Sequence, residues 1–122
     1  LTPGAMTVTF VASGKFLKEK PEVARRFTLA LMEAAGLMQG ADYLSPENLK
    51  AYLAHVNTTE AALRASEPVI YDPNLTINLE GLRDVERVHR ENRRVEYAAP
   101  IDLESVTDTS YVLWARKALG KN

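Results

Sequence analysis

Thr7-Val8-Thr9-Phe10-Val11-Ala12 is the stretch on which the fold class turns. All but Ala12 are β-branched or aromatic, and polarity alternates from Thr7 to Phe10, the pattern of a half-buried strand. Ser13-Gly14 breaks it, and Ser13 is placed to cap a short helical turn over Lys15 to Glu19. Everything after that reads as helix and turn. A lone strand leaves its backbone N–H and C=O groups unpaired unless a sheet receives them. The expectation is therefore a mostly α chain with one or two short strands whose sheet lies outside these residues.

Pro21 and Glu22 mark a helix start, because proline is favoured at the first position and an acid suits the positive end. Val23, Phe27, Ala30, Leu31, Ala34 and Met38 recur at helical spacing, and the helix runs out near Gly36 to Gly40. Ser45-Pro46-Glu47 repeats the start signal, followed by the stripe Leu49, Tyr52, Leu53 and Val56. Asn57 stops that helix. Thr58 or Thr59 caps a short one through Ala65, ended by Glu67-Pro68. Val69-Ile70-Tyr71 is short and extended, and Asp72-Pro73-Asn74 is a turn. Asn78 caps a helix from Leu79 to about Arg94, with Leu82, Val85 and Val88 on one side. Asp102 to Ser105 suggests one helical turn. Asp108 or Thr109 then caps a last helix with Tyr111, Val112, Ala115, Ala118 and Leu119 inward, and Gly120 stops it.

The chain has 122 residues, a formal net charge of −1, 46% hydrophobic residues and no cysteine. That length suits one unit: no repeat, low-complexity tract or linker divides it. Balanced charge argues against a polybasic nucleic-acid or membrane-surface protein. The lack of cysteine removes disulfides, thiolate zinc sites and thiol nucleophiles.

Residues of catalytic type are few and scattered. His55 and His89 lie in different expected helices. Glu86 and His89 make one Glu-x-x-His arrangement, half of what a di-iron bundle needs. Arg83, Arg87, Arg90 and Arg94 form a basic stripe suited to phosphates, but Glu80, Asp84, Glu86 and Glu91 are interleaved at ion-pairing spacings. Tyr71 and Trp114 are the aromatics able to stack on a ligand, though packing is the commoner use. No phosphate loop, nucleophile elbow or calcium loop occurs. No catalytic residue, metal ligand or cofactor site is assigned, the ligand-contact residues are unknown, and no enzyme activity is expected.

The order of segments says more than any site. Phe10-Val11-Ala12-Ser13, Phe16-Leu17, Lys20-Pro21-Glu22-Val23 and Leu29-Ala30-Leu31-Met32-Glu33-Ala34-Ala35 come first. Ser45-Pro46-Glu47-Asn48, Asn78-Leu79-Glu80-Gly81-Leu82 and Val106-Thr107-Asp108-Thr109-Ser110-Tyr111 follow, closed by Ala118-Leu119-Gly120. Together, from Thr7 to Gly120, they resemble the C-terminal part of ABC-transporter substrate-binding proteins. The branch is the nitrate/sulfonate/taurine type, which includes thiamine-precursor binders.

The resemblance implies the C-terminal part of an α/β, two-lobed, type II periplasmic-binding fold. Residues 1–6 would be a tag or hinge remnant and 7–122 the C-terminal portion of a solute-binding protein. It implies a periplasmic or extracytoplasmic protein that closes on a small solute and delivers it to an ABC permease, without a cofactor. Two alternatives stand beside it. One is a self-contained helical interaction module, homodimeric through strand Thr7 to Ala12. The other is a thiamine-pyrimidine enzyme sharing the binding-protein fold.

Overall fold

The computed structural model describes residues 8–121. Six α-helices follow one another: α1 (Gly14–Glu19), α2 (Pro21–Leu37), α3 (Pro46–His55), α4 (Glu60–Ala65), α5 (Leu79–Glu91) and α6 (Ser110–Ala118). Short 3-10 turns cover Gly40–Leu44 and Glu104–Val106.

The α/β expectation is overturned, because no strand occurs among the described residues. Thr7 lies outside them. Val8 to Ala12 is coil, and Val69-Ile70-Tyr71 is coil as well. A strand exists only as part of a hydrogen-bonded ladder, and none forms here among the described residues. Phe10 instead lays its ring edge-to-face on Phe27, with centroids 5.6 Å apart.

The helix starts follow the side chains that cap them. Ser13 Oγ accepts from the Phe16 N–H, Ser45 Oγ from Asn48, Thr59 Oγ1 from Ala62 and Asn78 Oδ1 from Gly81. Each satisfies one of the N–H groups a helix start leaves unpaired. Pro21 and Pro46 stand at the first positions of α2 and α3.

Two helix ends are closed by the same motif. After α6 the Lys121 N–H reaches Arg116 O and the Gly120 N–H reaches Lys117 O, with Gly120 at φ +66°. After α5 the Arg94 N–H reaches His89 O and the Arg93 N–H reaches Arg90 O, with Arg93 at φ +54°. Both are Schellman closures, and the left-handed residue is glycine in one and arginine in the other.

The core is small. Its buried apolar residues are Ala24, Met32, Ala35, Leu103 and Ala115. Met32 and Ala115 are both 0% exposed, and they lie on α2 and α6, the principal helix pair. Alanines on both helices allow a close approach of the two backbones.

The inward face of α2 is not the expected one. Val23, Phe27, Ala30 and Ala34 are exposed, while Ala24, Met32 and Ala35 are buried. At 100° per residue, Val23, Phe27, Ala30, Ala34 and Leu37 share an arc of about 80°. Ala24, Thr28, Leu31, Met32 and Ala35 fill the next arc of about 100°. The helix therefore carries two apolar faces, and α6 covers one.

Candidate functional site

The surface left open is the chain's most distinctive feature. A folded chain of 13.5 kDa exposes about 6500 Å² by the scaling of monomeric proteins, roughly 3000 Å² less than this one. The chain exposes 9477 Å². Val11, Val23, Phe27, Leu37, Val56, Ile70 and Leu113 all contribute large apolar exposure.

The second face of α2 is the longest ordered part of that surface. Phe10 flanks it at Phe27. At the other end Ala34 and Leu37 join Ala51, Tyr52, Val56 and Tyr71 around a shallow, mostly apolar groove of about 310 Å³. The groove is fixed in place by hydrogen bonds. Asn48 Nδ2 donates to Leu37 O at 3.0 Å and to Asp42 O at 2.7 Å, pinning the 3-10 turn to the end of α2. Gln39 Nε2 donates to Ala35 O and Tyr71 O, tying the loop after α4 to the same end.

Beside the groove three phenols converge. Tyr52 Oη donates to Tyr43 Oη at 3.1 Å and lies 3.4 Å from Tyr71 Oη. The Tyr43 and Tyr71 rings stack with centroids 6.4 Å apart. Burial of Tyr52, then its hydrogen bonds with Tyr43 and Tyr71, pushes its pKa far upward, so the Tyr52 phenol keeps its proton at physiological pH. Sequence reading singled out Tyr71 and missed Tyr43 and Tyr52 as its partners. The three come from a 3-10 turn, a helix and a loop, so no periodicity links them.

The turn after Tyr71 forms as expected. Asp72 accepts from the N–H groups of Asn74 (2.8 Å) and Thr76 (2.7 Å). Partial burial pushes its pKa up, but these bonds, the Thr76 hydroxyl and the charge of Arg116 outweigh that and hold it below the usual carboxylate range. Lys121 Nζ donates to Pro73 O at 3.0 Å, fastening the turn to the end of α6. Asp108 accepts from the Ser110 N–H and hydroxyl, which lower its pKa. It, and not the Thr109 side chain, caps α6.

The remaining sequence candidates resolve into packing and ion pairs. His55 is exposed at the end of α3, and His89 is half-buried on α5. No cluster of three His, Asp, Glu or Cys side chains able to hold a metal occurs among the described residues. Glu86 pairs with Arg90 at 3.1 Å, so the Glu-x-x-His carboxylate is committed elsewhere. Arg87 bridges Asp84 and Glu91, and Arg83 reaches across to Glu104. Glu91 thus pairs with Arg87 four residues before it. Trp114 carries the Arg25 guanidinium 5.9 Å above its ring, a cation–π contact.

No helix is long and apolar enough to cross a membrane among the described residues. Comparison of the chain with models of protein families, with characterised protein sequences and with solved structures finds no match.

Proposed function

We propose that this chain serves in the extracytoplasmic solute-binding component of an ABC importer for a small anion or organic solute of the nitrate, sulfonate, taurine or thiamine-precursor type. The observation that carries the reading is the placement of the family-like segments. Lys20-Pro21-Glu22-Val23 opens α2, Ser45-Pro46-Glu47-Asn48 opens α3 and Asn78-Leu79-Glu80-Gly81 opens α5. Asp108-Thr109-Ser110-Tyr111 opens α6, and Leu119-Gly120 ends it. The order that resembles the family is thus also the order of the folded elements. The large uncovered apolar surface supports it further, since it suits a component that works against another surface. The solute, held by a few polar groups, needs no covalent chemistry, and a membrane permease is the partner.

The test is made on the protein as its native host produces it. It is expected in the extracytoplasmic fraction and to gain thermal stability with one of nitrate, taurine, an alkyl sulfonate or a pyrimidine thiamine precursor. Saturation at about 100 times Kd corresponds to about 2.7 kcal/mol. The 122-residue chain alone is expected to give no saturable shift. A cytosolic protein that ignores the whole panel refutes the proposal.

A further inference from the structure

We infer that the open face of α2 is an isologous docking surface for a second copy of this chain, the two helices crossing antiparallel about a two-fold axis at Ala30. The inference is independent of the solute-binding reading. Val23, Phe27, Ala30, Ala34 and Leu37 follow a 4-3-4-3 spacing, the seam pattern of two helices packed knobs-into-holes. All five are exposed in this chain. Across the proposed axis, position n faces roughly position 60 − n of the partner helix. Ala30 then meets Ala30, which lets the backbones approach closely. Phe27 falls against Ala34 and Val23 against Leu37, so each large side chain meets a small or complementary one.

Charge supplies the second, independent argument. Arg26 and Glu33 border the same edge of the stripe, seven residues apart. Along the helix that is about 10.5 Å, too far for them to pair with each other. Neither side chain has an ion-pair or hydrogen-bond partner among the described residues, whereas Arg25 on the far side pairs with Glu22. In an antiparallel pair the same edges meet. Arg26 of each copy therefore stands opposite Glu33 of the other, and both orphan charges are satisfied twice. On the opposite edge Leu31 and Met38 are apolar and part-exposed, while Ala24 is already buried within the chain.

A stable interface needs about 800 Å² from each partner; the chain as a whole exposes roughly 3000 Å² more than a compact monomer of its mass, and the stripe with the groove at its end is one part of that surface. The groove at Leu37 lies where the Val23 end of the second copy arrives.

The experiment is sedimentation equilibrium of the 122-residue chain from about 1 to 100 μM. A dimer is expected. Arg26→Glu alone, or Glu33→Arg alone, replaces two attractions with two repulsions and should weaken it about tenfold. An equimolar mixture of the two variants should restore association, and so should the double variant R26E/E33R. Far-UV circular dichroism checks that these exposed substitutions leave the helices intact. Ala30→Cys in a chain without other cysteine should give a covalent dimer on mild oxidation. A monomer throughout the range, or single reversals that change nothing, or a mixture that fails to restore, overturns the inference. So does a monomeric native protein in which the Ala30→Cys thiol resists maleimide, which would place a different polypeptide on the stripe.

Discussion

Met32→Ala tests whether the α2–α6 contact is the centre that holds this chain together. Met32 is fully buried, and three of the other four buried apolar residues are alanines. Met32 and Leu103 thus account for most of the buried side-chain volume, and Met32 lies where α2 meets α6. Burying a whole methionine side chain is worth about 1.5–3 kcal/mol by transfer alone. The cavity adds to this, and Met→Ala changes in cores cost about 2–5 kcal/mol. A midrange loss of about 3 kcal/mol, with an unfolding entropy of about 2.1 cal/mol/K per residue, lowers Tm by about 12 °C for a chain of this length. Ile70→Ala is the matched control, because Ile70 is 95% exposed. It should change stability by no more than about 0.5 kcal/mol, or about 2 °C.

The assay is thermal and urea unfolding followed at 222 nm, with all proteins at one concentration because self-association would make Tm concentration-dependent. The urea m-value should be unchanged in both variants, since neither alters the extent of the fold. A Met32→Ala shift no larger than that of Ile70→Ala would refute the placement of the core between α2 and α6.

Ala115→Leu should destabilise by about 1–3 kcal/mol in the same assay, because the fully buried Ala115 lets α6 lie close to α2 and leaves no room for a larger side chain. Arg93→Gly should raise stability by about 1 kcal/mol, and Gly120→Ala should lower it by a similar amount, since both positions close a helix with positive φ. Ser45→Ala should cost about 1 kcal/mol through loss of the α3 cap. Asp72 and Asp108 have depressed folded-state pKa values, so their contribution is present above the ordinary carboxylate pKa and is lost as pH falls through the folded value. A Tm–pH profile should therefore drop on the acid side, and less steeply in the double variant Asp72→Asn/Asp108→Asn.

Local signals in this sequence were legible and the facing of its helices was not, and α2 shows why. A cap is a two- or three-residue event, so Ser13, Ser45, Thr59 and Asn78 announced helix starts that the structure bears out. Gly120 announced an end for the same reason. Arg93 closes α5 in the same geometry without the glycine that would have marked it, so α5 ends at Glu91 and not near Arg94. Periodicity carries less information where apolar residues occupy more than half the wheel. On α2 it picks out an apolar stripe but cannot say which of two adjoining stripes a neighbour will cover. α6 took the stripe of Ala24, Met32 and Ala35 and left Val23, Phe27 and Leu37 outside, although each stripe holds two alanines. The pattern of Thr7 to Ala12 had the same defect. It specifies a surface that a ladder would accept, but the partner strand is a non-local fact that six residues do not contain. The tyrosine cluster was invisible because it is assembled by tertiary structure from three unrelated elements. The two misread segments meet, since Phe10 rests on Phe27. Both err toward more burial than this chain provides by itself. A sequence that patterns its residues for contacts it does not make within one copy is patterned for a surface beyond that copy. The second face of α2, with its unpaired Arg26 and Glu33, is where that surface is most completely specified.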